Sequence, residues 1–579
     1  MTKPLTLAEL ARESPAWLDP EPVPAEFLLH TLHADPLIAT LLYRRGIRDA
    51  QDAADFLDAR RRPPPSESIV PNMPQAIARI AAAIDHREHI GIFGDYDVDG
   101  VTATALLTRA LRTAISPDHV FPILPERTEG YGLNTNGIDK IVASGASLLI
   151  CVDCGSSDHE EVAYAIARGL DVVILDHHQM TTAGPTGAIT ASPQLSPEPT
   201  HHQLTGVGLA YLLVLGLAAH GHHVVPVGRD EAEYLDLVAL GTVADVQPLL
   251  GINRIFVREG LEVLRRTRRP GLTALIGQTR LSQKGLDVSQ IAFQLAPRIN
   301  AAGRLATATD ALNMLVTDDV REASRLAIHL NQLNLQRRSK QDAAIADAIR
   351  EILARPDWQD SGFVTVSSKE WEPGLIGVIA GRLCETLRRP VIVFREEQGI
   401  LTGSGRSVAG FDIAAALRNL DPLLDHHGGH AQAAGVTMRA EHLAAFTSGM
   451  LDAVAACGTE IPAKRVIRID ADLDDTHVNI NTVRNVAALE PFGHGNPQPV
   501  LRIRNARLTK YSSLSDGKHL KLFVKAGTRS FEALLWNGGW RSRELVRART
   551  LDLAGRLEIN EFNGSTRLQM TLEDFRTTE

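Results

Sequence analysis

The sequence predicts an α/β protein of several domains: a parallel-sheet domain, a long connecting helix, a smaller α/β domain and a C-terminal β-barrel. Three observations predict it. The 579 residues make about three to five domains at roughly 100–200 residues each. Short apolar runs at His89–Gly94, Leu148–Asp153 and Asp171–Asp176 alternate with helical stretches at Val101–Thr113 and His159–Arg168, the βαβ signature of a parallel sheet. From Lys464 onward the runs become short and alternating, as in the strands of a small closed barrel.

Taken in order, residues 1–50 are rich in Pro and Ala and form an N-terminal segment, and Arg60-Arg61-Arg62-Pro63-Pro64-Pro65 reads as an exposed connector. The parallel-sheet domain occupies 51–312. A connecting helix follows over 313–355: Asp318 or Asp319 caps it, Val320, Leu326, Leu330 and Leu333 recur at helical spacing, and it ends before Pro356. In 356–456, apolar runs Phe363–Val366 and Val391–Phe394 flank a helical Gly377–Leu387, a second and smaller α/β unit. The barrel takes 457–579, with runs at Leu501–Ile503, His519–Val524, Phe531–Trp536 and Leu551–Leu557 and turn signals at Asp516-Gly517 and Asn563-Gly564. No internal repeat of 20–50 residues is present, which sets solenoids and propellers aside.

Composition narrows the function classes. With 44% hydrophobic, 22% charged and 5% aromatic residues, the chain is globular and not disordered. Its longest apolar stretch, Gly208 to Ala219, falls short of the roughly 18 residues of a membrane span, and Met1-Thr2-Lys3-Pro4 opens no signal peptide. A cytoplasmic, non-membrane protein is therefore expected. Four cysteines make no disulfide framework, and the Cys151/Cys154 pair has no partner pair at zinc spacing, so reduced and mostly buried thiols are expected. The net charge of -9 argues against nucleic-acid binding over the whole surface. From Leu501 to Glu579, however, 15 basic residues outnumber 9 acidic ones, a local surplus of the kind that binds phosphate backbones.

Ligand-binding residues of an open α/β sheet gather where strands end, and aspartate stands there repeatedly. The first run ends in Gly94-Asp95-Tyr96-Asp97-Val98-Asp99-Gly100, the second at Asp153 and the third at Asp176-His177-His178, while Leu237–Ala244 leads into Asp245. Carboxylates with one or two imidazoles suit Mn²⁺ or Mg²⁺, and so many acids in one place repel each other without cations. Such a set around two ions is a common apparatus for phosphoester hydrolysis: one ion generates hydroxide and both stabilise the in-line transition state. The bland readings are a solvated turn, a helix cap with surface histidines, or an EF-hand calcium loop. The last lacks its twelfth-position glutamate, since Leu106 stands there. Other His-His pairs, at His201, His222 and His426, follow no apolar strand. It is recurrence at four successive run ends that favours a metal centre.

These residues also carry a resemblance. GDYDVDG at Gly94–Gly100, VDCG at Val152–Gly155, DHH at Asp176–His178 and LDLVALGTVADV at Leu235–Val246 resemble, in order, the four motifs of the DHH phosphoesterase superfamily. PERTEGYGL at Pro125–Leu133, GVGLA at Gly206–Ala210, APRINAAGR at Ala296–Arg304, GSGRS at Gly403–Ser407, GGHAQAAG at Gly428–Gly435 and PFGHGNPQP at Pro491–Pro499 are similar to its single-stranded-DNA-specific exonuclease family. The resemblance runs from about residue 30 to the end. It implies a DHH-type sheet domain, a DHH-associated α/β domain containing Gly403–Gly435, and an OB-fold barrel.

By that resemblance Asp97, Asp99, Asp153, His177 and Asp245 ligate two Mn²⁺ or Mg²⁺ ions, with Asp153 bridging. Asp95, Asp176 and His178 complete the catalytic set behind the ligands or against the scissile phosphate. Arg127, Arg298, Asn300, Arg304, Ser404, Arg406 and His430 are the candidate DNA contacts. Among them Ser404 and Arg406, in a loop whose glycines let backbone N–H groups approach an anion, hold a 5′-phosphate together with Arg304, across a groove from the metals. Tight-turn glycines with a surface arginine, and a structural histidine at 430, are the plain alternatives. The barrel aromatics Tyr511, Phe523, Trp536, Trp540 and Phe562 are expected to stack on bases or to fill the core.

The chain also departs from the family pattern. Trp371-Glu372-Pro373-Gly374 places an acid where Trp-His-x-Gly is usual, and Ser192-Pro193 replaces Asn-Pro. The further C-terminal domain of some relatives is expected to be absent. The function implied is a metal-dependent exonuclease that degrades single-stranded DNA from its 5′ end to 5′-mononucleotides, in recombination and repair, beside a single-strand-binding protein and a recombination helicase. Two alternatives remain: an oligonucleotide or cyclic-dinucleotide phosphodiesterase of the same superfamily, and a non-catalytic strand-binding scaffold.

Overall fold

Apolar strands that alternate with helices need cover on both faces, and residues 90–191 receive it. The computed structural model describes residues 14–30, 35–58, 69–180, 183–356, 358–458, 465–562 and 565–578. The connector read at Arg60–Pro65 and the turn at Asn563-Gly564 lie outside these residues. The described chain divides into two units, one made of 54–337 with 489–498, the other of 1–53, 338–488 and 499–579.

In the first unit, β1 (Ile90–Gly94), β2 (Val120–Ile123), β3 (Leu148–Val152), β4 (Asp171–Leu175) and β5 (Ile189–Ala191) form an all-parallel sheet of order β2-β1-β3-β4-β5. Side chains alternate between two cores. Ile90, Ile92, Leu148, Ile150 and Val173 face the packed helices α1 (Met73–Asp85), α2 (Val98–Ala114), α5 (Gly206–Ala219) and α6 (Leu235–Ala244). Phe93, Leu149, Cys151 and Ile174 face α3 (Thr135–Ala143) and α4 (His159–Ala167). The central strands are uninterrupted apolar runs for this reason, while β2 and β5 are short edges. The order reverses between β1 and β3, which creates a crevice at their carboxyl ends.

One expected run takes a different form. Leu237–Ala244, grouped by its sequence with the strand ends, belongs to α6, so Asp245 is a helix C-cap. A run that is apolar all round fits a buried helix as well as a buried strand, and here every residue of α6 before its last is buried. Helices α7 (Ala296–Leu305) and α8 (Val320–Leu353) follow. The 34 residues of α8 span about 50 Å at 1.5 Å per residue, which accounts for the long connecting element.

In the second unit, β6 (Val364–Ser368), β7 (Val391–Glu397), β8 (Ile400–Arg406), β9 (His426–His430) and β10 (Ala433–Arg439) form a mixed sheet of order β9-β10-β8-β7-β6, with α9 (Ile376–Leu387) on one face. The GSGRS segment, expected as a loop, is instead the end of β8, a central strand paired to β7 and β10. Its glycines serve close packing: a Cβ on Gly403 would lie 2.5 Å from the Phe394 ring and one on Gly405 2.7 Å from Ile413.

The barrel is built of β11 (Leu501–Leu514), β12 (His519–Ala526), β13 (Arg529–Leu535), β14 (Thr550–Phe562) and β15 (Ser565–Thr577). They run in the order β11-β12-β13-β15-β14, and a β14–β11 ladder closes the ring. Cys151, Cys154 and Cys384 are buried free thiols and Cys457 is exposed. Among the described residues no helix is long and apolar enough to cross a membrane.

Candidate active site

The βα turn after β1 places three acids. Asp97 is the N-cap of α2, its Oδ1 accepting from Asp99 N at 2.9 Å and Gly100 N at 3.1 Å, so the positive end of the helix favours the anions beside it. Gly100 is required by the turn: a Cβ there would sit 2.5 Å from the Asp95 carbonyl oxygen. Asp99 turns toward the start of α5, where the backbone N–H groups of Gly206 and Val207 donate to its carboxylate at 2.7 and 2.9 Å. The GVGLA motif is thereby explained, because a Cβ on Gly206 would fall 2.6 Å from the Asp153 Cβ.

Asp153 follows β3 in a left-handed conformation, φ +63°. His177 Nε2 lies 3.1 Å from Asp153 Oδ1, 3.7 Å from Asp99 Oδ2 and 3.7 Å from Asp245 Oδ2. Asp245 is held by Gln247, whose Nε2 donates to Oδ2 at 3.0 Å. Val246, between them, is also left-handed at φ +59°, an outlier for a β-branched residue that costs on the order of 1–3 kcal/mol. Behind His177, Asp176 accepts from Ser156 N at 3.0 Å and from the His178 ring at 2.8 Å.

The electrostatics call for cations. Asp95, Asp99, Asp153 and His177 are buried, and Asp95 Oδ1, Asp153 Oδ1 and His177 Nε2 have no hydrogen-bond partner. Burial, then the charge of Asp97, pushes Asp95 up to about 7, and the same causes push Asp245 up to about 6. Asp99 and Asp153 rise well above the carboxylate range through burial and their acidic neighbours. Asp245 sits at the negative end of α6, where an anion is disfavoured. Burial and the charge of His178 lower His177 to about 3, leaving the neutral imidazole that ligates metal. For His178 burial works the other way, but the bond and charge of Asp176 outweigh it and raise it to about 9. Burial likewise opposes ionisation of Asp176, which its bonds to His178 and Ser156 hold below the usual range.

Three donor groups of metal-binding size result: Asp95, Asp97 and Asp153; Asp99, His177 and Asp245; and Asp153, His177 and His178. Asp153 and His177 each belong to two of them. The partnerless oxygens and nitrogen and the all-carboxylate-and-imidazole donor set fit two hard divalent ions. All eight residues of the expected catalytic set meet here.

The expected DNA contacts are placed in both units. In the first, Arg127 donates to the Gly303 carbonyl at 2.9 Å and lies 4.2 Å over the Tyr96 ring, near enough for its charge to act on Asp95. Asn300 and Arg304 are half-buried on α7. Arg298 is buried and donates through Nε to Asn331 Oδ1 at 3.0 Å. In the second unit the face of the sheet carries Arg406, Ala433 and His430 in one cross-strand row and Ser404, Gly435 and Gly428 in the next. The two glycines of the second row have nothing above them, which leaves bare backbone beside Arg406. The Arg406 guanidinium donates to the Gly405 carbonyl at 2.7 Å and to Ser404 Oγ at 3.1 Å.

Both departures from the family pattern have partners. Glu372 pairs with Lys340 at 2.8 Å, and Ser192 caps the following turn through Gln194 N at 3.3 Å. On the barrel, Trp536 and Trp540 are exposed, and the Phe523 ring lies 5.3 Å from Lys521 Nζ and 5.9 Å from Lys510 Nζ. The side chain of Phe562 lies outside the described residues.

Sequence reasoning missed three features. Tyr131 reaches the cluster, donating to the Asp153 carbonyl at 3.1 Å. Gln247 holds Asp245. The PFGHGN segment, expected in the barrel domain, belongs to the first unit: the His494 carbonyl accepts from Leu249 N at 2.8 Å, and Cβ atoms on Gly493 and Gly495 would meet Leu249 and Pro248 at 2.7 and 2.9 Å. It braces the chain just after Asp245.

Comparison with known proteins covers most of the chain. Family models match residues 89–242 (DHH family, N-terminal domain), 360–456 (DHHA1 domain) and 469–574 (RecJ OB domain). The chain is 33% identical over 557 residues to the single-stranded-DNA-specific exonuclease RecJ of Bacillus subtilis strain 168, covering 95% of this chain and 69% of that one. The crystal structure of Thermus thermophilus RecJ in complex with Mn²⁺ is similar at 30% identity and a TM-score of 0.83, covering 98% of this chain and 80% of that one. The Mg²⁺ complex of the same protein is similar at 29% identity and a TM-score of 0.77, covering 97% and 79%.

Proposed function

This chain belongs to the RecJ family of single-stranded-DNA-specific exonucleases, and on that premise we propose that it is a metal-dependent exonuclease that hydrolyses single-stranded DNA from the 5′ end to 5′-mononucleotides. The observation that carries the reading is the buried acid cluster whose Asp153 Oδ1 and His177 Nε2 have no partner. Asp97, Asp99, Asp153, His177 and Asp245 would hold two Mn²⁺ or Mg²⁺ ions, with Asp153 shared. Bound there, the ions supply Lewis-acid charge that lowers the pKa of water and offsets negative charge on the phosphoryl oxygens.

The protein's own groups do the rest. The α5 amides fix Asp99 and Gln247 fixes Asp245, so the donor set is in place before substrate arrives. His178, hydrogen-bonded to Asp176, presents its imidazole beside the cluster. Arg127, with its charge near Asp95, is placed to neutralise a non-bridging phosphate oxygen. Asn300, Arg304 and His430 supply contacts to the strand, and Ser404 and Arg406 a hold on its terminal phosphate that sets polarity. The basic barrel holds the strand by charge and stacking.

The same reading places the chain in the cytoplasm, in recombination and repair, beside a single-strand-binding protein and a helicase. The barrel disfavours a dinucleotide phosphodiesterase, and the complete acid set disfavours a scaffold. Labelled single strand, duplex and dinucleotide, each incubated with Mn²⁺ or EDTA, test the proposal together. Mn²⁺-dependent degradation of the single strand alone is expected. Cleavage of the dinucleotide alone, or strand binding without cleavage, would overturn it.

A further inference from the structure

The ring of Tyr131 is held in a way that the metal cluster does not require. Gly130 and Gly132 flank it, both at φ +94°, a conformation cheap only for glycine. The far side of this bend is pinned: Asp158 Oδ2 accepts from Leu133 N at 2.7 Å, and a Cβ on Gly132 would lie 2.8 Å from that same carboxylate. The near side is pinned by the phenol, which donates to the Asp153 carbonyl at 3.1 Å and lies 2.9 Å from His178 Nδ1. The ring meets the imidazole of His178 edge-on, with centroids 5.3 Å apart. Yet 53% of the residue is exposed. A side chain anchored at one end of its loop and at its hydroxyl is not a mobile surface residue. It is a fixed aromatic face left open to solvent beside a site built for phosphodiesters.

What covers such a face must be flat, apolar and attached to the phosphate under attack. A nucleobase meets all three conditions. We propose that Tyr131 is the stacking platform for the base of a nucleotide flanking the scissile phosphodiester, a substrate contact that rests on the exonuclease reading above. Every base has a π face, so the contact would hold a strand in register without selecting its sequence. The hydroxyl fixes the ring, and the ring is what the substrate meets.

The test compares steady-state cleavage, with Mn²⁺, of an ordinary strand and of strands abasic at either nucleotide flanking the first scissile bond. In the wild type, one of the two abasic strands should show a KM raised by about 5- to 150-fold, the range of base–aromatic stacking. Tyr131→Leu should raise KM on the ordinary strand by a similar factor while changing the abasic strand less than about twofold, and Tyr131→Phe should restore most of the loss. Mn²⁺ affinity measured by electron paramagnetic resonance should be the same in all three proteins. A wild-type KM indifferent to both abasic positions would overturn the proposal without any variant. So would a Tyr131→Leu loss equal on all strands. Failure of the wild type to cleave any strand would instead count against the exonuclease reading itself.

Discussion

The acid cluster of the first unit and the Ser404–Arg406 face of the second are both rich in glycine beside polar residues, yet they differ in every physical respect. The cluster is buried, its charges raise one another's pKa values, Asp153 and Val246 are left-handed, and three of its polar atoms lack partners. The sheet face is regular β-structure, half-exposed, with its arginine hydrogen-bonded and bare glycine beside it. On the proposed reading, the cation site is marked by unmet electrostatic need and the phosphate-gripping surface by the uncovered backbone of Gly428 and Gly435. Strain and burial belong to the chemistry; regularity and exposure belong to grip.

If that division is right, substitutions in the two regions must fail differently. The largest effect should come from Asp153→Ala. Losing an outer partner of a metal ligand typically costs 10–100-fold, so losing a shared ligand should cut hydrolysis by more than about 100-fold. Single-strand affinity should be largely kept, because Asp153 is buried. Turnover within about tenfold of wild type would remove the bridging role.

The cluster should also show itself in stability. With Asp95 near 7 and Asp245 near 6 in the folded state, against 3.8 ordinarily, the folded chain keeps protons that the unfolded chain has released. Metal-free protein therefore loses stability as pH rises from about 4 to about 7. Mn²⁺ replaces those protons, so Mn²⁺ fixed at about one hundred times its pH 8 Kd should add about 2.7 kcal/mol for each independent site at pH 8. It should add clearly less at pH 5. Calorimetry at both pH values measures this, and a gain independent of pH would contradict the assignment.

On the sheet face, Arg406→Ala should reduce the preference for 5′-phosphorylated over 5′-hydroxyl strands by about 1–3 kcal/mol in kcat/KM. An equal loss on both substrates would mean that Arg406 only supports β8. The smallest effect is expected on the barrel: replacing Lys510, Lys521 and Lys525 with Gln should flatten the slope of log K against log salt by up to about 2, at roughly 0.7 per phosphate contact. An unchanged slope would show that these lysines face away from the strand.

What the sequence disclosed follows the same division. β1, β3 and β4 are legible because a buried parallel strand must be an apolar run, and an aspartate at each end marks the crevice. Asp245 is legible as a residue but not as a helix terminus, since an all-apolar stretch does not distinguish strand from helix. Gly403 and Gly405 read as a loop because the partners they make room for, Phe394 and Ile413, are brought close only by the fold. Tyr131 and His494 lie in the motifs PERTEGYGL and PFGHGNPQP, but their roles, like that of Gln247, depend on exposure, backbone conformation and contacts between segments far apart in the chain. The edge strands β2 and β5 are too short to stand out, and β2 contains Pro122.

Asp153 Oδ1 and His177 Nε2, both without a hydrogen-bond partner, should be ligands of divalent ions. Anomalous diffraction from crystals soaked in Mn²⁺ tests this most directly. Two peaks are expected, with Asp153 in contact with both and His177 Nε2 in contact with one. The absence of peaks there, or peaks confined to other surface acids, would contradict the account.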